Sequence, residues 1–411
     1  MIYDRHIAPR VTKALKDSPV ILINGARQTG KSTFCEQLIK TDIFKGQFVT
    51  LDDATILSAA TRNPSSFLEG LDKHVVIDEI QRVPELLLGI KKLVDQDRKG
   101  RRFILTGSAD VLALPKLADS LAGRMHIYNL WPLSQAEINA QKNNFIDHVF
   151  SEFLPSYRSD LKWTDFVSLM IQGGYPGIMD YEEEETKRDW YGSYLISILQ
   201  KDIRDLSNIE GLTEIPNLLE LLSTRTGGLL NLSEISRLAQ MANTTLKRYY
   251  ALLQQVFLIL EVPAWTLNLE GRLVKSPKLF LNDTGLLCYL RRETKDNLIN
   301  NRTAAGSILE NFVVMEITKQ ITWAATRAKM FHFRAQSGQE VDIVLEGDNK
   351  KIVGIEVKSS ASVTEKEFKG LEFLKAHTKN KFHCGIVLYT GDQTVKFGDK
   401  LYALPISSLW S

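Results

Sequence analysis

The sequence predicts an α/β protein with a parallel sheet at the amino terminus, then a helical subdomain, a helix-turn-helix segment and a second α/β domain. Strand and helix patterns alternate over residues 1–135, which is typical of a parallel sheet covered on both faces. The pattern turns helical over 136–222, two short amphipathic helices fall within 223–270, and charged strand patterns follow within 271–411. We therefore expect four units.

Composition limits the classes of function. Hydrophobic residues make up 44% of the chain, charged residues 24%, and the net charge is +2, so overall basicity does not indicate a nucleic-acid partner and any such contact must be local. No apolar run approaches the roughly eighteen residues needed to cross a bilayer, and the first residues lack a signal-peptide core. Three scattered cysteines fit no metal spacing and favour a reducing cytoplasm, with no membrane partner.

A glycine-rich turn lies between the strand pattern at 20–23 and the helix pattern at 33–39. It reads G-x-x-x-x-G-K-[ST], and this spacing aims backbone amides and a helix amino terminus at one point, where phosphate binds. Lys31 is expected to reach the terminal phosphates, and the Ser32 hydroxyl to ligate Mg²⁺. The predicted nucleotide-binding residues are Gly25, Ala26, Arg27, Gln28, Thr29, Gly30, Lys31, Ser32 and Thr33.

Two acids end the next buried strand pattern, which begins at His74. Beside a phosphate-binding turn, Asp78 is expected to hold the magnesium and Glu79 to polarise the attacking water. The alternative is that they cap the following helix. A third strand pattern ends at Thr106 and Ser108, either of which could touch the terminal phosphate or the water. Together these residues predict ATP binding and hydrolysis.

Arg124 precedes the last strand pattern of the first unit. An arginine in this place could reach nucleotide in its own subunit or across an interface, where a contact with the terminal phosphate is worth far more than an exposed ion pair. The alternative is an ordinary surface arginine. We include Arg124 among the candidate catalytic residues.

Residues 223–270 predict a winged helix-turn-helix. Two short amphipathic helix patterns, at 231–239 and 244–253, precede an apolar strand pattern at 256–260. Residues 225–248 carry Arg225, Arg237, Lys247 and Arg248 against Glu234, which gives 4 − 1 = +3. This charge suits phosphate contacts, but winged helices also contact proteins, so both kinds of partner stay open.

Two strand patterns near the carboxyl terminus carry facing charges. Their turn centres near Asn349, so a symmetric hairpin sets Asp342 opposite Glu356, and Lys358 lies on the same face. Facing carboxylates are unfavourable unless a cation lies between them, and a divalent metal would serve. A helix pattern upstream offers Glu310 as a third acid. The alternative is a solvated sheet face on which Lys358 offsets the acids.

These residues resemble known families. Glu310, Asp342 and Glu356-Val357-Lys358 resemble the E…D…(D/E)-x-K pattern of the restriction-endonuclease-like, PD-(D/E)xK nuclease fold. The whole chain resembles prokaryotic AAA+-type ATPases with a carboxy-terminal nuclease-like domain of unknown function. The amino-terminal part of that match is the glycine-rich turn, Leu105-Thr106-Gly107-Ser108 and Leu121-Ala122-Gly123-Arg124. The resemblance implies P-loop ATP binding, the nuclease fold, homo-oligomeric assembly and a second Mg²⁺ or Mn²⁺ in the carboxy-terminal domain.

Two functional hypotheses follow. The first is a Mg²⁺-dependent, ATP-hydrolysing, DNA-associated protein, with or without metal-dependent DNA cleavage. The second is a nucleotide-controlled switch or scaffold that binds protein partners and carries an inactive nuclease fold. Residues 348–381 hold eight lysines and five acids, so 8 − 5 = +3, which suits a face that grips a nucleic-acid backbone and is also common on surface helices.

Overall fold

The computed structural model describes residues 1–98, 100–109, 121, 123–142, 144–204, 212–267, 272 and 275–411. Its amino-terminal part is the predicted parallel sheet, with strand order β2-β3-β4-β1-β5. The strands are β1 Val20–Asn24, β2 Gln47–Thr50, β3 His74–Asp78, β4 Arg102–Gly107 and β5 Met125–Asn129. The helices are α1 Ala8–Asp17, α2 Lys31–Lys40, α3 Ala54–Arg62, α4 Pro64–Glu69 and α5 Leu86–Gln96.

Apolar residues cover both faces of this sheet, which is why its inner strands read as continuous hydrophobic runs. On one face, Val20 and Leu22 of β1 belong to a cluster that includes α5. On the other face, Ile21 and Ile23 pack in a cluster with α1 and α2. The order places β4 between β3 and β1, so the carboxyl ends of these three strands meet at one edge of the sheet.

The region that follows is helical, as predicted. Its helices are α6 Gln135–Ile138, α7 Phe145–Val149, α8 Trp163–Gln172, α9 Glu184–Ser197 and α10 Ile215–Ser223. After Gln172, a glycine-containing turn leads into a short 3₁₀ helix, Pro176–Ile178. The last turns of α9 widen into a π-helix, Ile198–Ile203. Such wider turns are rare and are often found at functional sites.

The two helices predicted for the helix-turn-helix are present as α11 Leu232–Leu238 and α12 Asn243–Gln255. The strand predicted at 256–260 begins later, because Val256 caps α12 and Phe257 adopts a positive φ of 59°. The strand is β6 Ile259–Val262, and it pairs in antiparallel fashion with β7 Lys278–Leu281. The predicted boundary at 270/271, which lies outside the described residues, thus separates two strands of one sheet.

The carboxy-terminal part is a six-stranded mixed sheet in the order β12-β13-β11-β10-β9-β8. Two helices, Arg302–Ile321 and Lys369–Thr378, pack on its opposite faces. The strands are β8 Ala328–Arg334, β9 Glu340–Gly347, β10 Ile352–Lys358, β11 Phe382–Tyr389, β12 Val395–Gly398 and β13 Leu401–Pro405. The remaining helices are α13 Thr284–Leu290, α14 Lys295–Asn300, α15 Arg302–Ile321 and α16 Lys369–Thr378.

One apolar cluster joins the helical region, the helix-turn-helix and one face of the carboxy-terminal sheet, with members from Ala136 to Trp410. These parts therefore share a core. The three cysteines are free and buried: Cys35 in α2, Cys288 in α13 and Cys384 in β11. Burial raises the pKa of each thiol. None of the described helices is long and apolar enough to cross a membrane.

Candidate functional site

The glycine-rich turn connects β1 to α2 at the edge where the strands end. Gly25 is required by close approach, because a Cβ atom there would lie 2.2 Å from the Leu130 carbonyl oxygen. Gly30 has a φ of 90°, in the left-handed region, at the residue before α2. Gln28 is exposed with a φ of 62°, and Thr33 is exposed on the first turn of α2. The turn thus curls around the amino end of α2.

Lys31 is only 4% exposed and points back into the turn. Its Nζ donates to the carbonyl oxygens of Gly25 at 2.9 Å and Ala26 at 2.8 Å. Burial lowers the Lys31 pKa, while the nearby carboxylates of Glu79, Asp202 and Asp78 act in the opposite direction. The ammonium group therefore lies inside the turn, and no carboxylate among the described residues pairs with it directly.

A buried N-terminal arginine braces the turn from behind. Arg5 Nη1 donates to the Thr29 carbonyl at 2.8 Å, Nη2 donates to the Trp131 carbonyl at 2.6 Å, and Nε pairs with Glu137 at 3.1 Å. Thr29 Oγ1 in turn donates to the Ala26 carbonyl at 3.0 Å. The sequence analysis missed Arg5, because no local pattern indicates that residue 5 folds onto the turn.

Asp78 is the last residue of β3, and its carboxylate accepts hydrogen bonds from hydroxyl groups on three elements. Its Oδ1 accepts from Ser32 at 2.8 Å and Thr106 at 2.6 Å, and its Oδ2 accepts from Thr50 at 3.2 Å. Burial raises the Asp78 pKa, while the hydrogen bonds from Thr106 and Ser32 lower it. A carboxylate and a hydroxyl 2.8 Å apart at the mouth of the turn offer the hard oxygen ligands that Mg²⁺ prefers, so Ser32 and Asp78 fit this ion.

Glu79 and Ser108 follow the ends of the paired strands β3 and β4, and the Gln81 side chain links them. Glu79 adopts a left-handed conformation with a φ of 59°, and its amide donates to Thr106 Oγ1 at 3.0 Å. The Gln81 side-chain amide contacts the Glu79 carboxylate and donates to Ser108 Oγ at 2.8 Å. A non-glycine residue in this region costs about 1–3 kcal/mol and persists where surrounding contacts hold it.

Asp202 joins the same site from the helical region. Its Oδ1 accepts from Ser108 Oγ at 2.7 Å, and its carboxylate lies 3.4 Å from Nη1 of Arg27. Burial raises the Asp202 pKa, while the Ser108 hydrogen bond and Arg27 lower it. The sequence analysis missed Asp202, because the π-helix that aims it at the turn has no recognisable sequence pattern.

Arg124 lies at the other end of the strands from the glycine-rich turn. Val20 and Asn24 of β1 lie opposite Met125 and Asn129 of β5, so Arg124 is level with the start of β1 and the glycine-rich turn with its end. The two ends of β1 are four residues apart, which is roughly 13 Å along a strand. Arg124 pairs with Asp95 at 2.6 Å. The structure therefore places Arg124 away from the glycine-rich turn, and its contact with nucleotide, in its own subunit or across an interface, stays a prediction. Ala122 of the same motif lies outside the described residues.

The predicted carboxy-terminal site residues come together on three elements: Glu310 on α15, Asp342 on β9, and Glu356 and Lys358 on β10. The observed register runs to Ile355 opposite Ile343, which places Glu356 next to Asp342 as the hairpin predicted. The Val357 amide donates to Asp342 Oδ2 at 3.0 Å. Lys358 Nζ pairs with Glu356 Oε2 at 2.9 Å.

The cation between these acids is Lys278 of β7, which the sequence analysis missed. Its Nζ pairs with Glu310 Oε1 at 2.8 Å and lies 3.5 Å from Asp342 Oδ1. No group of three or more His, Cys, Asp or Glu side chains in the described part of the chain could hold a metal ion. The expected second Mg²⁺ or Mn²⁺ site is therefore corrected: the acids need a positive charge, but two ammonium groups supply it.

The acidic pocket still holds more negative than positive charge. Burial, then the charge of Asp342, raises the pKa of Glu310 to about 7 and that of Glu356 to about 8. Lys278 and Lys358 act in the opposite direction on these acids, and the acids raise the pKa of both lysines. The pocket therefore exchanges protons near neutral pH.

The helix-turn-helix exposes basic side chains. Lys247 and Arg248 lie on the outer face of α12, and Arg237 is exposed near the end of α11. Arg225 is also exposed and pairs with Glu234 at 2.7 Å. All four predicted basic residues thus face solvent.

Comparison with family models assigns the first part of the chain. Residues 17–139 match an AAA domain, and residues 164–297 and 305–409 match two domains of unknown function, DUF8612 and DUF4143. The amino-terminal sheet with its glycine-rich turn is therefore similar to AAA-type P-loop domains. DUF8612 covers the predicted helical subdomain from residue 164 onward, the whole predicted helix-turn-helix and the start of the predicted carboxy-terminal domain. The winged-helix and nuclease-like interpretations stay predictions.

Relatives cover most of the chain. An uncharacterized protein of Mycobacterium tuberculosis is 25% identical over 416 residues, covering all of this chain and 85% of the relative. One from Methanocaldococcus jannaschii is 24% identical over 405 residues, covering 95% and 87%. Among solved structures, the Holliday junction branch migration motor RuvB of Thermotoga maritima aligns with 15% identity and a TM-score of 0.24, covering 62% of this chain and 89% of that one.

We expect the raised pKa of Glu356 to make stability fall as pH rises. The folded protein binds a proton at this carboxyl up to pH of about 8, whereas the ordinary value is 4.5. Between these values the folded state holds more protons than the unfolded state, so the free energy of unfolding decreases with pH. Glu356→Gln should flatten this decrease in thermal unfolding at pH 5, 7 and 9. Glu346→Gln, on β9 but paired with Arg272, should not.

Replacing Lys278 should leave buried carboxylates uncompensated. Removing one partner of a buried ion pair costs about 3–5 kcal/mol, so we expect Lys278→Met to lower the unfolding free energy by about that amount at pH 8.5. The loss should shrink at pH 6, where Glu310 and Glu356 take up protons. Chemical denaturation measures both values. Lys275→Met, on an exposed lysine that contacts only a carbonyl group, is the control. Equal losses in both variants would contradict the assignment.

Proposed function

We propose that this protein binds ATP with Mg²⁺ and hydrolyses it at the cleft where β1, β3 and β4 end. The observation that carries the proposal is the convergence of Lys31, the Ser32–Asp78 pair at 2.8 Å, and Glu79 beside Ser108. These side chains come from three strand ends, and each matches a role that phosphoryl transfer requires. The AAA-domain match over residues 17–139 supports nucleotide binding here.

Each residue has a role in this proposal. The amides of the turn and the amino end of α2 bind phosphate oxygens, and Lys31 places a positive charge beside them. Ser32 and Asp78 would hold Mg²⁺, which neutralises phosphate charge when bound. Glu79 orients the attacking water and accepts its proton. Ser108, held by Gln81, lies beside that water, and its hydroxyl oxygen accepts a hydrogen bond from the water.

Two substitutions test these roles. Lys31→Ala should abolish tight ATP binding, because it removes the buried positive charge. Glu79→Gln should keep binding but slow hydrolysis by about 10²–10⁴-fold, the usual contribution of a general base. Calorimetry and phosphate release measure the two effects. Lys40→Ala, at the exposed end of α2, is the control. Turnover retained in Lys31→Ala would refute the site assignment.

We also propose that the helix-turn-helix contacts DNA through its exposed basic residues. Lys247, Arg248 and Arg237 lie on two neighbouring helices, which suits contacts with phosphates. Assembly into a homo-oligomer belongs to the same proposal, and it would let Arg124 reach the nucleotide of a neighbouring subunit. The carboxy-terminal domain takes part as an interaction element rather than as a metal-dependent nuclease, because Lys278 fills the place between its acids. The alternative function is a nucleotide-controlled switch that binds protein partners.

DNA contact should appear in the salt dependence of binding. Each phosphate contact contributes about 0.9 to the slope of log affinity against log salt. Lys247→Gln with Arg248→Gln should therefore weaken binding to duplexes of any sequence and reduce the slope by about 2. Lys91→Gln with Lys92→Gln, a matched basic pair on α5, should leave it unchanged. Fluorescence anisotropy over a salt series measures both. A wild-type affinity that does not vary with salt would favour the switch instead.

A further inference from the structure

Asp202 is the one carboxylate of the helical region that enters the nucleotide cleft among the described residues, and it is 6% exposed. It accepts a hydrogen bond from Ser108 Oγ at 2.7 Å and lies 3.4 Å from the Arg27 guanidinium. A cavity of about 340 Å³ opens beside it, lined in part by Gln81, Arg82 and Ser108. Asp202 therefore holds one residue of the turn and one residue from the end of β4.

The helix that carries Asp202 contacts Arg27 twice. Tyr194 Oη of α9 donates to the Arg27 carbonyl at 3.3 Å, and Asp202, eight residues later, pairs with its side chain. Tyr194 is buried and shares a 2.5 Å hydrogen bond with Tyr175. The backbone between the two contacts passes from α-helix into π-helix. A change in the partner of Arg27 thus acts directly on this helix.

The contacts of Asp202 with Ser108 and with Arg27 of the turn would place it beside the terminal phosphate of a bound nucleoside triphosphate. The charges of Arg27, Glu79 and Lys31 all act on its carboxyl group. In P-loop enzymes the third phosphate lies between the P-loop lysine and the catalytic acid. A carboxylate already bonded to Ser108 there repels that phosphate, because like charges oppose each other strongly where water is excluded. A diphosphate lacks the group that Asp202 opposes.

We propose that Asp202 distinguishes nucleoside triphosphate from diphosphate and reports the difference to the helical region. With diphosphate or no nucleotide, Asp202 is the anionic partner of Ser108 and Arg27. With triphosphate, the third phosphate replaces Asp202 as that partner, and the π-helix is released from the cleft. This inference rests on the proposed ATP site and adds a specificity-determining residue outside the AAA-type domain.

The test compares two nucleotides on the full chain. Asp202→Asn keeps the shape and the hydrogen-bonding capacity toward Ser108 but removes the charge. We expect it to tighten binding of the Mg²⁺ complex of a non-hydrolysable ATP analogue by about tenfold, within the usual range of coupling between sites. Affinity for ADP should change less than about twofold, since no third phosphate is present. Isothermal titration calorimetry measures both constants.

Asp52→Asn is the matched control. Asp52 binds the same π-helix, accepting from Lys201 Nζ at 3.1 Å, and also accepts from Arg82 Nη1 at 2.8 Å. Among the described residues it has no hydrogen bond with Ser108 or Arg27, although the charge of Arg27 acts on it. If it produced the same selective gain, loosening of the helix rather than the charge of Asp202 would be the cause, and the inference would fail. Equal gains for both nucleotides in Asp202→Asn would also overturn it.

Hydrogen–deuterium exchange gives a second readout. In the wild type, the ATP analogue but not ADP should speed exchange over residues 198–203, because the helix leaves the cleft. In Asp202→Asn the exchange should already be fast without nucleotide. Exchange that is unaffected by the analogue would count against release of the helix. A wild-type protein that bound neither nucleotide would refute the ATP site itself, so the two failures are distinguishable.

Discussion

The nucleotide cleft depends on the burial of one positive charge. Lys31 is enclosed by its own turn. The carboxylates of Asp78, Glu79 and Asp202 lie around it, and none of these three pairs with it directly. An ammonium group removed from water is costly unless polar groups replace its hydration. Here two carbonyl oxygens do so. This arrangement constrains the neighbouring groups. The turn must keep the backbone conformation that directs its carbonyl oxygens at Lys31, and each nearby carboxylate must accept hydrogen bonds from hydroxyl or amide groups instead of from the lysine.

The sequence was sufficient to predict those parts of the site that are local in the chain. The glycine-rich turn, the acids after β3 and Ser108 after β4 are each marked by a strand that ends in polar residues, and parallel topology then brings the strand ends together. Arg5 and Asp202 could not be predicted in this way. They reach the cleft across 24 and 94 residues from the groups they bind, and only tertiary packing determines those contacts.

The carboxy-terminal pocket shows the same limit in another form. Strand alternation and the symmetric turn were enough to place Asp342 beside Glu356, with Lys358 on the same face. Lys358 pairs with Glu356, but the second cation, Lys278 between Glu310 and Asp342, was not predicted. Lys278 lies 64 residues from Asp342 and arrives on β7, a strand paired with β6 of the helix-turn-helix. A cation that comes from a distant part of the chain cannot be recognised from the local sequence around the acids.

The three buried cysteines can report local opening of the structure around each of them. Cys35 lies in α2 of the P-loop domain, Cys288 in α13 and Cys384 in β11 of the carboxy-terminal sheet, and burial raises the pKa of each thiol. A disulfide reagent reacts with thiolate and needs access to it, so each cysteine stays silent until its own element opens. The order in which the thiols react therefore ranks the local stability of three regions without any engineered label.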